Sequence, residues 1–69
     1  MGIVRFKLEE YLKSVNITRY QLSKRTDIKY QTIDSYYKNR VTRYDSHNLA
    51  LICTCLGCDI SDILEFIPE

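Results

Sequence analysis

Three cysteines and one histidine in the second half of the chain are the side chains best suited to hold a metal ion. Cys53, Cys55 and Cys58 follow His47, and three thiolates with one imidazole can bind zinc tetrahedrally. However, Cys53 and Cys55 would lie about 200° apart around a helix, so their thiols would point away from each other. We therefore expect no metal site, three reduced and mostly buried thiols, and a solvent-facing His47.

The sequence contains no recognisable catalytic motif. It has no glycine-rich phosphate loop, and no nucleophile is placed with a plausible base. We therefore expect neither an enzyme nor a bound cofactor. The chain also lacks an apolar run long enough to cross a membrane, and its first residues lack one of signal-peptide length, so we expect a cytoplasmic protein.

The charged residues are distributed unevenly along the chain. Residues 1–44 contain all ten Lys and Arg and four of the nine Asp and Glu, a net charge of +6, whereas residues 45–69 carry −5. This split favours a polyanionic partner, although the same charges could form an ordinary solvated surface. All six tyrosines lie in the basic part. They could stack on single-stranded nucleic acid, but the inward positions of Tyr11, Tyr36 and Tyr44 indicate a core role for about half.

Residues 17–38 predict two short helices joined by a tight turn. Thr18 and Gln21 have the spacing of a capping box at the start of the first helix. Asp27 stands where the chain must reverse, and Asp tolerates the left-handed backbone conformation better than most residues. In the second helix, the spacing of the apolar residues directs Ile33 inward.

This pattern resembles the helix-turn-helix of the Cro and lambda-repressor-like family, the xenobiotic-response-element type of bacterial and phage regulators. The matching positions are Thr18, Leu22, Ser23, Asp27, Ile28, Lys29 and Ile33. Asp27 replaces the usual Gly. Lys29 replaces the usual Ser or Thr cap, which costs up to ~1 kcal/mol of stability. The similarity continues through Leu49, Leu56 and Leu64, so it covers nearly the whole chain.

The resemblance implies that the second motif helix, at about residues 30–38, lies in the major groove of double-stranded DNA. The family's base-reading positions correspond to Tyr30, Gln31 and Ser35, with Thr32 close by. Gln31 is the strongest candidate because its amide can form two hydrogen bonds with adenine. The candidates for phosphate contacts are Arg19, Lys29, Lys38, Arg40 and Arg43. Asp34 would repel a phosphate, so it should face away from the DNA or accept from a cytosine amino group.

The remaining sequence predicts three more helices and no strand. The expected helices run from Lys7 to Val15, from Asp45 or Ser46 to Gly57, and from Asp59 to Pro68. Asn16 and Asn39 stand at the ends of the first and third helices, where Asn can take the left-handed conformation. The expected fold is therefore all-α, a compact bundle of five short helices with a central helix-turn-helix, in one domain over residues 1–69.

The resemblance implies a small transcriptional regulator, a repressor, whose partner is a double-stranded DNA operator. Relatives bind paired half-sites, so we also expect a homodimer, with its contact between Ile60 and Ile67 and with Phe66 adding apolar surface. The alternative is a helix-turn-helix that holds another protein, as an antirepressor or regulatory partner, without binding DNA. Weak or salt-insensitive binding to random DNA would favour that alternative.

Overall fold

The chain forms five short helices and one small sheet. The computed structural model describes all 69 residues. Its elements are β1 (Ile3–Phe6), α1 (Leu8–Ser14), α2 (Arg19–Thr26), α3 (Tyr30–Tyr37), α4 (Ser46–Leu56), α5 (Ile60–Ile63) and β2 (Leu64–Ile67). The helical bundle with its central helix-turn-helix confirms the predicted fold class. None of the helices has the length and apolar character needed to span a lipid bilayer.

The sheet contradicts the prediction that the chain contains no strand. β1 and β2 pair antiparallel, with Ile3 opposite Ile67 and Phe6 opposite Leu64. As a result, α5 is only four residues long and does not reach Pro68. The aliphatic and aromatic residues of β2 suit a strand once β1, from the other end of the chain, supplies hydrogen-bond partners.

Each of the four longer helices is followed by a residue with a left-handed backbone. The φ angles are 58° at Asn16, 61° at Asp27, 57° at Asn39 and 64° at Gly57. These four residues were the helix ends that the sequence predicted, and they are confirmed. The predicted start of α4 is confirmed as well, because the Asp45 carboxylate accepts the backbone N–H of His47 at 2.9 Å.

Nine buried hydrophobic side chains form one core to which α1–α5 and β1 all contribute. They are Phe6, Leu8, Leu12, Leu22, Ile28, Ile33, Tyr36, Ile52 and Ile63. The Phe6 ring stacks on Tyr36 at 4.7 Å between centroids and contacts Tyr44 at 5.3 Å. Val15, the expected last residue of the first helix, lies outside α1 and is 40% exposed, because α1 already ends at Ser14.

An asparagine side chain fixes the end of α3 to the sheet. The Asn39 amide accepts the Phe6 N–H at 2.7 Å and donates to the Phe6 carbonyl at 3.0 Å. On the same edge of β1, the Tyr44 hydroxyl donates to the Val4 carbonyl at 3.2 Å. The sheet therefore contributes directly to the position of the second motif helix.

The three cysteines are free, half-buried thiols around the turn between α4 and α5. Burial, followed by the neighbouring Cys53, raises the pKa of the Cys58 thiol to about 11. Burial and then Cys58 also raise the pKa of the Tyr11 hydroxyl. The structure contains no cluster of three or more His, Cys, Asp or Glu side chains placed to hold a metal ion.

Candidate nucleic-acid interface

The first motif helix, α2, starts with the capping box that the sequence predicted. The Thr18 hydroxyl accepts the Gln21 N–H at 3.1 Å, and the Gln21 side chain accepts the Thr18 N–H at 2.9 Å. Two of the N–H groups at the start of the helix are thus satisfied by neighbouring side chains. The cap fixes the point at which the chain enters the motif.

The turn between α2 and α3 is held by two hydroxyl side chains. The Ser23 hydroxyl donates to the Ile28 carbonyl at 2.7 Å. The buried Thr26 hydroxyl donates to the Leu22 carbonyl at 2.8 Å and accepts the Ile28 N–H at 3.3 Å. Because two of these three bonds join α2 to Ile28, just before α3, they restrict the angle between the two helices.

The inner face of α3 is anchored in the core. Ile33 is fully buried, and Tyr36 is nearly so. The Tyr36 hydroxyl also accepts from the Asn48 side chain of α4 at 3.1 Å. At about 100° per residue, Gln31 and Ser35 then lie on the face opposite Ile33. The packing therefore determines which side of α3 faces outward.

The four residues proposed to read bases occupy the first two turns of α3. Tyr30 is 43% exposed and Gln31 is also exposed, whereas Thr32 and Ser35 are half-buried. The Ser35 hydroxyl donates to the Gln31 carbonyl at 3.0 Å, so its oxygen can still accept from a base. The Gln31 side chain makes no hydrogen bond within the chain. Of the four residues, Tyr30 and Gln31 are the most accessible.

The five residues proposed to contact phosphates fall into two groups. Lys29, Arg40 and Arg43 are exposed, and their side chains form no ion pair. Lys29 precedes α3 with φ −57° and ψ 139°, and no side chain caps that helix. Arg19 and Lys38, in contrast, both pair with Asp34, at 2.5 Å and 3.3 Å respectively. The guanidinium of Arg19 also lies 4.3 Å from the centre of the Tyr37 ring.

Asp34 is therefore directed toward two cations of its own chain. Partial burial raises the pKa of its carboxyl, but the hydrogen bonds from Lys38 and Arg19 outweigh this effect. The pKa of Asp34 accordingly lies below its usual value, and the side chain is ionised at neutral pH.

Comparison with known proteins identifies the family of this motif. A family model, the Cro/C1-type helix-turn-helix DNA-binding domain, matches residues 7–69. The chain belongs to this family. It is also similar to the crystal structure of the transcriptional regulator VanUg, Form II, with 26% identity and a TM-score of 0.79 over 99% of this chain and 89% of that one. No curated protein matches the sequence significantly.

Sequence reasoning missed several contacts within the motif of this Cro/C1-type domain. Asp34 and Lys38 are four residues apart, so their pairing could have been read from the spacing. The contact of Asp34 with Arg19 could not, because it depends on how α2 and α3 cross. Nor did the sequence show that Ser23 and Thr26 would bond across the turn.

Proposed function

We propose that this Cro/C1-type domain is a small bacterial or phage transcriptional regulator that binds double-stranded DNA sequence-specifically and reads the major groove with α3. The observation that carries the proposal is the free Gln31 amide on the exposed face of α3, opposite the buried Ile33. An amide in this place can donate to N7 and accept from N6 of one adenine.

The cations around α3 support this mode of binding. Lys29 stands before the helix, and Lys38, Arg40 and Arg43 follow it. A helix inserted in the major groove has a phosphate strand on either side, so positive charge at both ends is favourable. We propose that Arg19, at the start of α2, supplies the fifth phosphate contact.

We further propose that the bound domain acts in the cytoplasm as a repressor, by covering an operator. A reporter gene placed behind the selected DNA site tests the direction of regulation. Expression should fall when the protein is present and should recover with a variant that no longer reads the site. Increased expression would instead indicate an activator.

A second copy of the chain is the protein partner that we propose. The β1–β2 sheet exposes four apolar side chains that face one another in two pairs, Ile3 with Ile67 and Val4 with Phe66. Successive residues of a strand point to opposite faces, so the two pairs lie on opposite sides of the sheet. Phe66 is 63% exposed, and we propose that the face it shares with Val4 is the contact surface. Contact through residues 60–67 would let two copies address half-sites about 34 Å apart.

Sedimentation of Phe66→Glu beside the parent chain tests the dimer. We expect the parent to dimerise, and the variant to remain monomeric and bind paired half-sites more weakly. If both chains are monomers with equal DNA affinity, the dimer proposal is wrong.

The same apolar surface favours the second candidate function, a protein-binding module without DNA binding. Selection of DNA from a random pool, followed by gel shifts at several salt concentrations, separates the two functions. Five cations with one offsetting carboxylate predict a log–log salt slope of about −4. A slope shallower than about −2, or a pool without enrichment, would contradict DNA recognition and favour the protein-binding module.

A further inference from the structure

One carboxylate on α3 engages two of the cations that would face the DNA backbone. Asp34 is the only acidic residue of α3. One of its oxygens accepts from Arg19 at 2.5 Å, and the other lies 3.3 Å from the Lys38 ammonium. The Asp34 side chain is only 24% exposed, so this is a partly buried pair that water and salt screen less than an exposed one.

The Arg19 guanidinium is held on a second side by an aromatic ring. Tyr37 lies 4.3 Å from it, and Asp34 and Tyr37 are neighbours on one edge of α3 because they are three residues apart. A guanidinium held by a carboxylate and a ring has fewer orientations than one on a free side chain. Because it carries five N–H donors, its bond to Asp34 leaves others free for a phosphate.

We propose that Asp34 is a positioning residue for DNA recognition. It directs Arg19 toward the phosphate that lies beside it when α3 is bound at its specific site, and it weakens binding when α3 lies on any other DNA sequence. This inference rests on the proposed DNA-binding function. Nonspecific affinity comes from charge, so a carboxylate between two cations lowers it. In the specific complex, the fixed orientation of Arg19 offsets the repulsion. Asp34 therefore increases the ratio of specific to nonspecific affinity.

The ratio of the two affinities in Asp34→Ala tests this role. Loss of one negative charge should raise nonspecific affinity about five- to tenfold at 0.1 M salt and steepen the salt slope by about 0.9. Affinity for the specific site should change less than about threefold. The loss of the repulsive carboxylate favours binding there, but Arg19 is no longer held in the orientation that contacts the phosphate. The matched control is Asp27→Asn, which removes the same charge where there is no ion pair. In that control, both affinities should rise together.

A double-mutant cycle with Arg19→Ala separates positioning from simple repulsion. In the parent chain, Arg19→Ala should weaken specific binding about tenfold, the effect of one phosphate contact at 0.1 M salt. In the Asp34→Ala background, the same change should cost less than about threefold, because the orientation is already lost. Thermal unfolding of each variant establishes that the comparison is made between folded proteins.

Three results would overturn the inference. The ratio of specific to nonspecific affinity could be the same in Asp34→Ala as in the parent, or Arg19→Ala could weaken specific binding equally in both backgrounds. Either result would mean that Asp34 acts only as a general repulsive charge. A specific affinity that falls together with the preference at one base pair would make Asp34 a reader of cytosine. A parent chain without sequence preference would contradict the proposed function itself, and that result is seen before any variant is compared.

Discussion

Gln31→Ala is the change that most directly tests whether α3 reads bases. The Gln31 side chain is exposed and has no partner within the chain, so its truncation removes nothing that holds the fold. Alanine also has the higher helix propensity, so the stability of the domain should not fall. If the amide forms two hydrogen bonds with adenine, their loss should cost ~1–3 kcal/mol, or about fivefold to 150-fold in Kd, at the selected site.

The assay compares Kd at the selected site with Kd on unrelated DNA at one salt concentration. Gln31→Ala should weaken only the first, because base contacts carry sequence information and phosphate contacts do not. Arg40→Ala is the matched control, since Arg40 is exposed and forms no ion pair. Arg40→Ala should weaken binding to the selected site and to unrelated DNA alike, and it should reduce the log–log salt slope by about one. If Gln31→Ala weakens both kinds of DNA equally, α3 does not read bases, and the protein-binding function moves ahead.

Three further predictions concern the folded domain itself. Asp27→Gly should raise the unfolding free energy by about 0.5–1 kcal/mol without changing sequence preference, because φ is 61° there. Asn39→Gly should lower the unfolding free energy, measured by chemical denaturation, by about 1–3 kcal/mol, because both bonds to Phe6 are lost. The control is Asn16→Gly, where φ is similar and the side chain forms no bond. That change should alter the unfolding free energy by less than about 0.5 kcal/mol. The Cys58 thiol should be alkylated slowly at pH 8, as measured by mass spectrometry, because its pKa is raised to about 11. The contribution of this raised pKa to stability should be complete below about pH 9 and lost as the pH rises through about 11. Alkylation as fast as in the unfolded chain would contradict the raised pKa.

The helical part of the fold was predictable because its signals are local. A capping box needs only Thr18 and Gln21, three residues apart, and a left-handed helix end needs only a residue that tolerates positive φ. Burial of Ile33 follows from the spacing of apolar residues within one helix. From these alone, the outward direction of Gln31 could be inferred before any tertiary contact was known.

The sheet was missed because its apolar residues also fit a helix. Ile60, Ile63, Leu64 and Ile67 have helical spacing, which favoured one helix from Asp59 to Pro68. The strand forms because residues 64–67 pair with β1 from the opposite end of the chain, and no local period contains that information. The pair of Arg19 with Asp34 was missed for a similar reason, since two local patterns do not define the angle between two helices.

The missed elements are nevertheless the ones that place the predicted site. The end of α3 is bonded to β1 through Asn39 and Phe6, while β1 pairs with β2, which carries the exposed Phe66. The proposed dimer surface and the proposed reading helix thus share one small sheet. If a second copy binds at Phe66, the sheet fixes the orientation of each α3 relative to its partner, and hence the spacing of the half-sites. Asn39→Gly should then reduce the preference for one half-site spacing more than it reduces affinity for a single half-site, as selection from pools with variable spacers would show.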